Sequence, residues 1–108
     1  MVLPPATPPE LSALNERRVH AENAIVGHYL SLPPTPTDAQ RADWHQRAYE
    51  LHENLVTVLE ATERAARTCA PSVAGALRWS ITGARLRGEA ARDAGIEWRK
   101  LAEGDAAR

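Results

Sequence analysis

Four histidines, His20, His28, His45 and His52, are the side chains in this sequence with the widest chemical range. An imidazole binds metals through either ring nitrogen and changes charge near neutral pH. Their positions acquire meaning if the chain reverses at Pro33, Pro34 and Pro36. Antiparallel helices joined by a short connection stay in register from the turn, so residues whose numbers sum to about 72 should lie side by side. His20 then faces His52, and His28 faces His45. A third helix folded back about Ala70 sets Gly88 near His52 and Gly95 near His45, each glycine leaving room beside an imidazole pair. Imidazoles on facing helices hold zinc, iron or haem in helical bundles, so a metal- or haem-binding bundle is one functional reading. The spacing gives it little help: the sequence holds no Glu-x-x-His pair, no His-Glu-x-x-His and no Cys-x-x-Cys-His. Histidines at the edge of a helix seam commonly serve as hydrogen-bonded structural groups, and that is the expectation here.

Other chemistry has a weaker footing. Cys69 is the single cysteine, so there is no internal disulfide, and it falls at the end of a helix beside Pro71. A helix C-terminus disfavours the thiolate, no base stands within several residues, and the side chain reads as a small apolar plug. Glycine-rich phosphate loops are absent, because the glycines of the last third come at helical spacing. No catalytic residue is assigned, and the chain is expected not to be an enzyme. The last third is the most basic segment, with Arg85, Arg92 and Arg99 seven apart and Trp79 and Trp98 interleaved. Such a row suits a nucleic-acid backbone, which makes nucleic acid a second alternative. Against it stand the nearby Glu89, Asp93 and Glu97, and a chain whose 13 basic and 14 acidic residues leave a net charge of −1. Pairing of the arginines with an acidic second helix is the stronger expectation.

The elements that would position these groups are helices. From Trp44, steps of four and three reach Ala48, Leu51, Leu55, Val58, Thr62, Ala65 and Cys69, a seam that an α-helix presents as one stripe. Before it, Thr7-Pro8-Pro9-Glu10 reads as a helix start and capping box. From there Leu11, Leu14, Ala21, Ile25 and Leu32 form an apolar face, with Val19, Val26 and Leu30 widening it. The prolines end this helix, and Thr37-Asp38-Ala39-Gln40 opens the next with a second capping box after about four or five residues of connection. Pro71 forces a tight reversal at Ala70, with Thr68 or Ser72 available as a cap. The third helix has its own 4-3 seam of Ala74, Leu77, Ile81, Ala84, Gly88, Ala91, Gly95, Trp98 and Ala102. Its interior glycines cost about 1 kcal/mol each relative to alanine, which either close approach of Leu51, Leu55 and Val58 from the second helix or a helix that bends or frays at its glycines would explain.

The expected fold is all-α: three antiparallel helices, up-down-up, with coiled-coil-like packing. Helices span about 8–32, 38–68 and 72–103, in a single domain over 7–104. A flexible proline-rich lead-in occupies 1–6 and a polar tail 105–108. Apolar residues remain to spare: Trp79, Leu86, Ala90 and Leu101 make a second stripe on the third helix, beside Gly83, and Tyr49, Val56 and Leu59 lie outside the main stripe of the second. Exposed apolar side chains at helical spacing suggest another helix to cover them, most simply from a second copy. The principal functional reading is therefore a non-enzymatic protein–protein interaction module, a homodimer or the partner of another helical protein. No run approaches the ~20 apolar residues that span a bilayer. The start has neither the basic nor the apolar region of a signal peptide, so no membrane and a cytoplasmic location are expected. No cofactor is expected under the principal reading, and no motif marks the chain as a member of a known family.

Overall fold

The computed structural model describes residues 8–106, which form three helices, α1 (Pro8–Tyr29), α2 (Asp38–Cys69) and α3 (Pro71–Ala106). There is no strand among the described residues. The lead-in at 1–6, Thr7 and the end of the chain lie outside them. α2 begins where its sequence says it should. Thr37 Oγ1 accepts the Gln40 N–H at 3.1 Å, and the Gln40 side chain accepts the Thr37 N–H at 2.9 Å. Two backbone donors that the helix start would leave unpaired are thereby satisfied.

α1 ends three residues before the expected Leu32. The Ser31 N–H and hydroxyl both donate to His28 O, at 2.9 and 2.6 Å, closing the last turn. Leu32 precedes Pro33 and is barred from the helical region, so the ladder cannot continue. The connection to α2 is eight residues, 30–37, rather than four or five.

At the other reversal a single residue, Ala70, separates two long helices. Its N–H donates to Ala66 O and its carbonyl accepts the Ala74 N–H. One residue thus ends α2 and starts α3, without help from Thr68 or Ser72. Pro71 takes the first position of α3, where a missing N–H costs nothing. The helix then runs on through Gly104, which was expected to stop it, to Ala106. At that position the glycine keeps helical backbone; its φ is not positive.

α2 lies in the middle and buries two strips. Its expected seam residues Ala48, Leu51, Leu55 and Val58 are buried. The strip beside them, Ala42, His52, Val56, Leu59, Glu63 and Ala66, is buried as well. Val56 and Leu59 are therefore not spare. α3 covers its own side of α2 with Ala74, Ile81, Ala84, Gly88, Ala91 and Gly95, all buried. Ala21 of α1 joins Leu55, Val56 and Leu59 of α2 and Ile81 and Ala84 of α3 in one cluster, with Ile25 and Leu77 packed against it.

Two of the glycines of α3 lie at its closest approach to α2. A Cβ at Gly88 would sit 3.3 Å from His52 Cβ, and one at Gly95 would sit 3.4 Å from His45 Cβ and from the Gln46 backbone nitrogen. These are the neighbours that a reversal at Ala70 predicts. The residues received there are Ala42, His45, Tyr49 and His52, not Leu51, Leu55 and Val58. Gly75 has nothing within 4 Å, and Gly83 meets only the side chain of Arg87.

The widened face expected on α1 is not used. Val19, Val26 and Leu30 are 41%, 59% and 83% exposed. Each residue of an α-helix advances about 100°, which puts these three opposite Ala21 and Ile25, on the side turned from α2.

Candidate functional site

The histidines are drawn into the joint between α1 and α2. His28 and Trp44 bind one another reciprocally: the His28 Nε2–H donates to Trp44 O at 2.7 Å, and the Trp44 Nε1–H donates to His28 O at 3.0 Å. The second bond pairs a carbonyl in the last turn of α1, where the helix itself supplies no donor. The two rings stack at 4.8 Å between centroids, and Tyr29 meets Trp44 edge-on at 5.1 Å. Tyr29 also approaches the His52 ring, at 6.2 Å. His52 is 2% exposed, and its Nδ1–H donates to Ala48 O at 2.8 Å on its own helix. His45 is half-buried beside Trp44, its ring edge-on at 4.9 Å. Burial, then the neighbouring His28, then Arg41 hold its pKa below the ordinary 6.5.

His20 is not part of this cluster. It is exposed and borders a surface depression with Asn54 and Val58, so the expected His20–His52 pair is not formed. The expected register holds near the turn, where His28 meets Trp44 and lies close to His45. His28 and His52 each commit a ring nitrogen to a backbone carbonyl, and the Trp44 ring contacts both His28 and His45. No group of three or more His, Cys, Asp or Glu side chains among the described residues is placed to hold a metal. His28, Tyr29 and Trp44 read as a clasp between α1 and α2, with His45 and His52 beside it.

The arginine row faces α2 rather than away from it. Arg85 pairs with Glu60 at 3.2 Å, Arg99 pairs with Asp43, and the Arg92 guanidinium lies 5.9 Å from the Tyr49 ring centroid. One heptad earlier Arg78 meets Glu63 at 3.1 Å, and Arg41 of α2 lies over the Trp98 ring at 4.6 Å. Arg78, Arg85, Arg92 and Arg99 thus form a ladder along the α2/α3 seam, with acids of α2 opposite three of them. The Arg85–Glu60 and Arg99–Asp43 pairs are exposed and worth little singly; the repeat at seven residues matches the seam and ties its register. Glu63 was not recognised from the sequence as a core position. It is 4% exposed, and Arg67 and then Arg78 hold its carboxyl below the usual carboxylate range. The signal was its spacing, because Glu63 continues the strip of His52, Val56 and Leu59.

Between α2 and α3, on the side away from α1, runs an open groove of about 410 Å³ bordered by Tyr49, His52, Glu53, Arg85, Gly88 and Arg92. The Tyr49 hydroxyl donates to Glu53 at 2.6 Å, and that bond raises the Tyr49 pKa above 10.0. Its charged groups are of both signs, and Arg85 there pairs with Glu60. Cys69 is half-buried at the end of α2, its thiol 3.3 Å from Ala65 O.

Besides Val19, Val26 and Leu30 at α1, a row of apolar side chains is exposed on the outer face of α3. Trp79 is 81% exposed, Leu86 61% and Leu101 53%, and Ala90 is exposed between them. At about 100° per residue all four fall within an arc of roughly 60°, opposite the positions that meet α2. No helix is long and apolar enough to cross a membrane among the described residues. No family model matches the chain, and neither a curated protein nor a solved structure is similar to it.

Proposed function

We propose that this chain is a non-enzymatic helical assembly module whose partner is a second copy of itself. Its three helices then act as an up-down-up antiparallel bundle with coiled-coil-like packing, and two bundles pair through α3. The observation that carries the reading is Trp79, four-fifths exposed and in line with Leu86, Ala90 and Leu101. Scattered apolar side chains on a surface are ordinary, but a row led by a tryptophan on one helix face is what helical interfaces use. Burying each large side chain of the row would contribute about 1.5–3 kcal/mol. The nucleic-acid alternative loses support because Arg85 and Arg99 already face carboxylates of α2. The metal alternative loses support because His28 and His52 have each spent a ring nitrogen.

Sedimentation equilibrium over a range of concentrations tests the reading. The native chain should have twice the monomer mass of 11.8 kDa, and Leu86→Asp should give a monomer of unchanged helicity. Leu55→Asp is the control: it places a charge in the cluster shared by all three helices and should unfold the chain. A native chain that stays monomeric at high concentration would remove the proposal.

A further inference from the structure

Taking self-association through α3 as given, we infer that two copies pair α3 against α3 in antiparallel orientation, across a twofold axis at Ala90. The outer face supplies the pattern. Trp79, Gly83, Leu86, Ala90, Ala94, Glu97 and Leu101 follow one another at steps of 4, 3, 4, 4, 3 and 4. That series reads the same in both directions from Ala90. A surface that matches itself across a twofold axis must have this property, since residue i meets j and j meets i.

The residues brought together are complementary in size and charge. Trp79 meets the second copy's Leu101, two large apolar side chains in contact, and Leu86 meets its Ala94, a large side chain over a small one. Ala90 meets Ala90, which lets the backbones come close on the axis. Glu97 of one copy arrives at Gly83 of the other, where there is no side chain but there is a cation. The Arg87 guanidinium folds back over Gly83, with Nη1 3.4 Å and Nη2 3.6 Å from where a Cβ would stand. Arg87 takes part in no ion pair among the described residues, whereas Arg78, Arg85 and Arg99 all face acids of α2. The partner's Glu97, which pairs with Lys100 of its own helix at 3.2 Å, supplies the carboxylate that Arg87 lacks, and the symmetry makes the contact twice.

Parallel pairing would do the reverse. Each residue would meet its own copy, Glu97 on Glu97 and Gly83 on Gly83, giving like charges on the seam at one layer and a gap at another. Like-charge contacts of this kind are how helical interfaces exclude wrong orientations.

Disulfide trapping in the full chain, with Cys69→Ala as background, separates the arrangements. Ala90→Cys should oxidise to a covalent dimer, because the two Cβ atoms face one another at the axis. Gly83→Cys alone and Glu97→Cys alone should not, and Gly83→Cys with Glu97→Cys should. A cross-link from Gly83→Cys alone would overturn the antiparallel register. So would a native dimer in which neither Ala90→Cys nor the double variant cross-links, since another face would then hold it. A native chain that is monomeric sinks the self-association reading itself, a result distinct from either. The charge contact has its own readout: Arg87→Glu and Glu97→Arg should each weaken the dimer about tenfold, and the two together should restore it to within about twofold. Two losses without recovery would show that Arg87 and Glu97 do not meet.

Discussion

α2 meets α3 through side chains that are nearly absent and meets α1 through some of the largest in the chain. Along α3 the contact is made mostly by small residues, Ala74, Ala84, Gly88, Ala91 and Gly95, with Ile81 as the large exception, and the two helices come closest at Gly88 and Gly95. Along α1 it is made by Ala21 and Ile25 in the middle and by His28 and Tyr29 against Trp44 of α2 near the turn. The first interface spreads its dispersion contacts evenly and adds a ladder of arginines at seven-residue steps, three of the four facing acids of α2. The second concentrates on one clasp and leaves Val19, Val26 and Leu30 facing outward. A helix held mainly at one end opens locally before the rest of the molecule does. The α2/α3 hairpin is accordingly the frame, and α1 is the part that can loosen.

The strongest way to break this contrast is to fill the close approach. Gly95→Leu puts a branched side chain where the Gln46 nitrogen and Ala42 carbonyl stand 3.4 and 3.5 Å from a mere Cβ. It should lower stability by about 3 kcal/mol, read from the urea midpoint, because both helices would have to separate. Trp44→Ala attacks the other interface. It removes the stack on His28 and the bond to His28 O, at a cost of about 2 kcal/mol. Hydrogen exchange should rise across α1 and stay slow in α2 and α3; equal acceleration in all three helices would erase the distinction drawn here.

Acid sharpens the same comparison. Because the folded chain holds His45 below its ordinary 6.5, the unfolded chain takes up a proton first as pH falls. Stability attributable to His45 is complete above about pH 6.5 and declines as pH drops through that value toward the lower folded pKa. His45→Gln should flatten the fall in urea midpoint between pH 7.5 and 5.5. Glu63 acts in the same direction further down, below its ordinary 4.5, as protonation releases Arg67 and Arg78. The smallest effect expected is a gain: Gly75→Ala, with nothing within 4 Å, should stabilise α3 by about 0.5–1 kcal/mol. The same change at Gly88, 3.3 Å from His52 Cβ, should give no such gain.

Much of the frame was legible in the residues. The capping box at Thr37 and Gln40, the reversal at Pro71 and the 4-3 seam of α3 are local signals, and each appears where it was read. The α2/α3 pairing was legible for a related reason: a one-residue turn leaves the register almost no freedom, so Gly88 must meet His52 and Gly95 must meet His45. What lay beyond the sequence was the division of labour around α2. Periodicity tells which residues share a face, but His52, Val56, Leu59 and Glu63 form a second strip beside the first, and nothing local says which strip meets which neighbour. The eight-residue connection 30–37 allowed α1 several registers, and only the packing of Ala21 and the Trp44 clasp chose one. That the arginines of α3 pair with acids of α2 was legible, as Arg85 with Glu60 and Arg99 with Asp43 show. Which acid each meets, like the partners of the histidines, was not, because the partner of a long polar side chain depends on the angle at which two helices cross. That angle is set by the whole interface rather than by any one stretch of it.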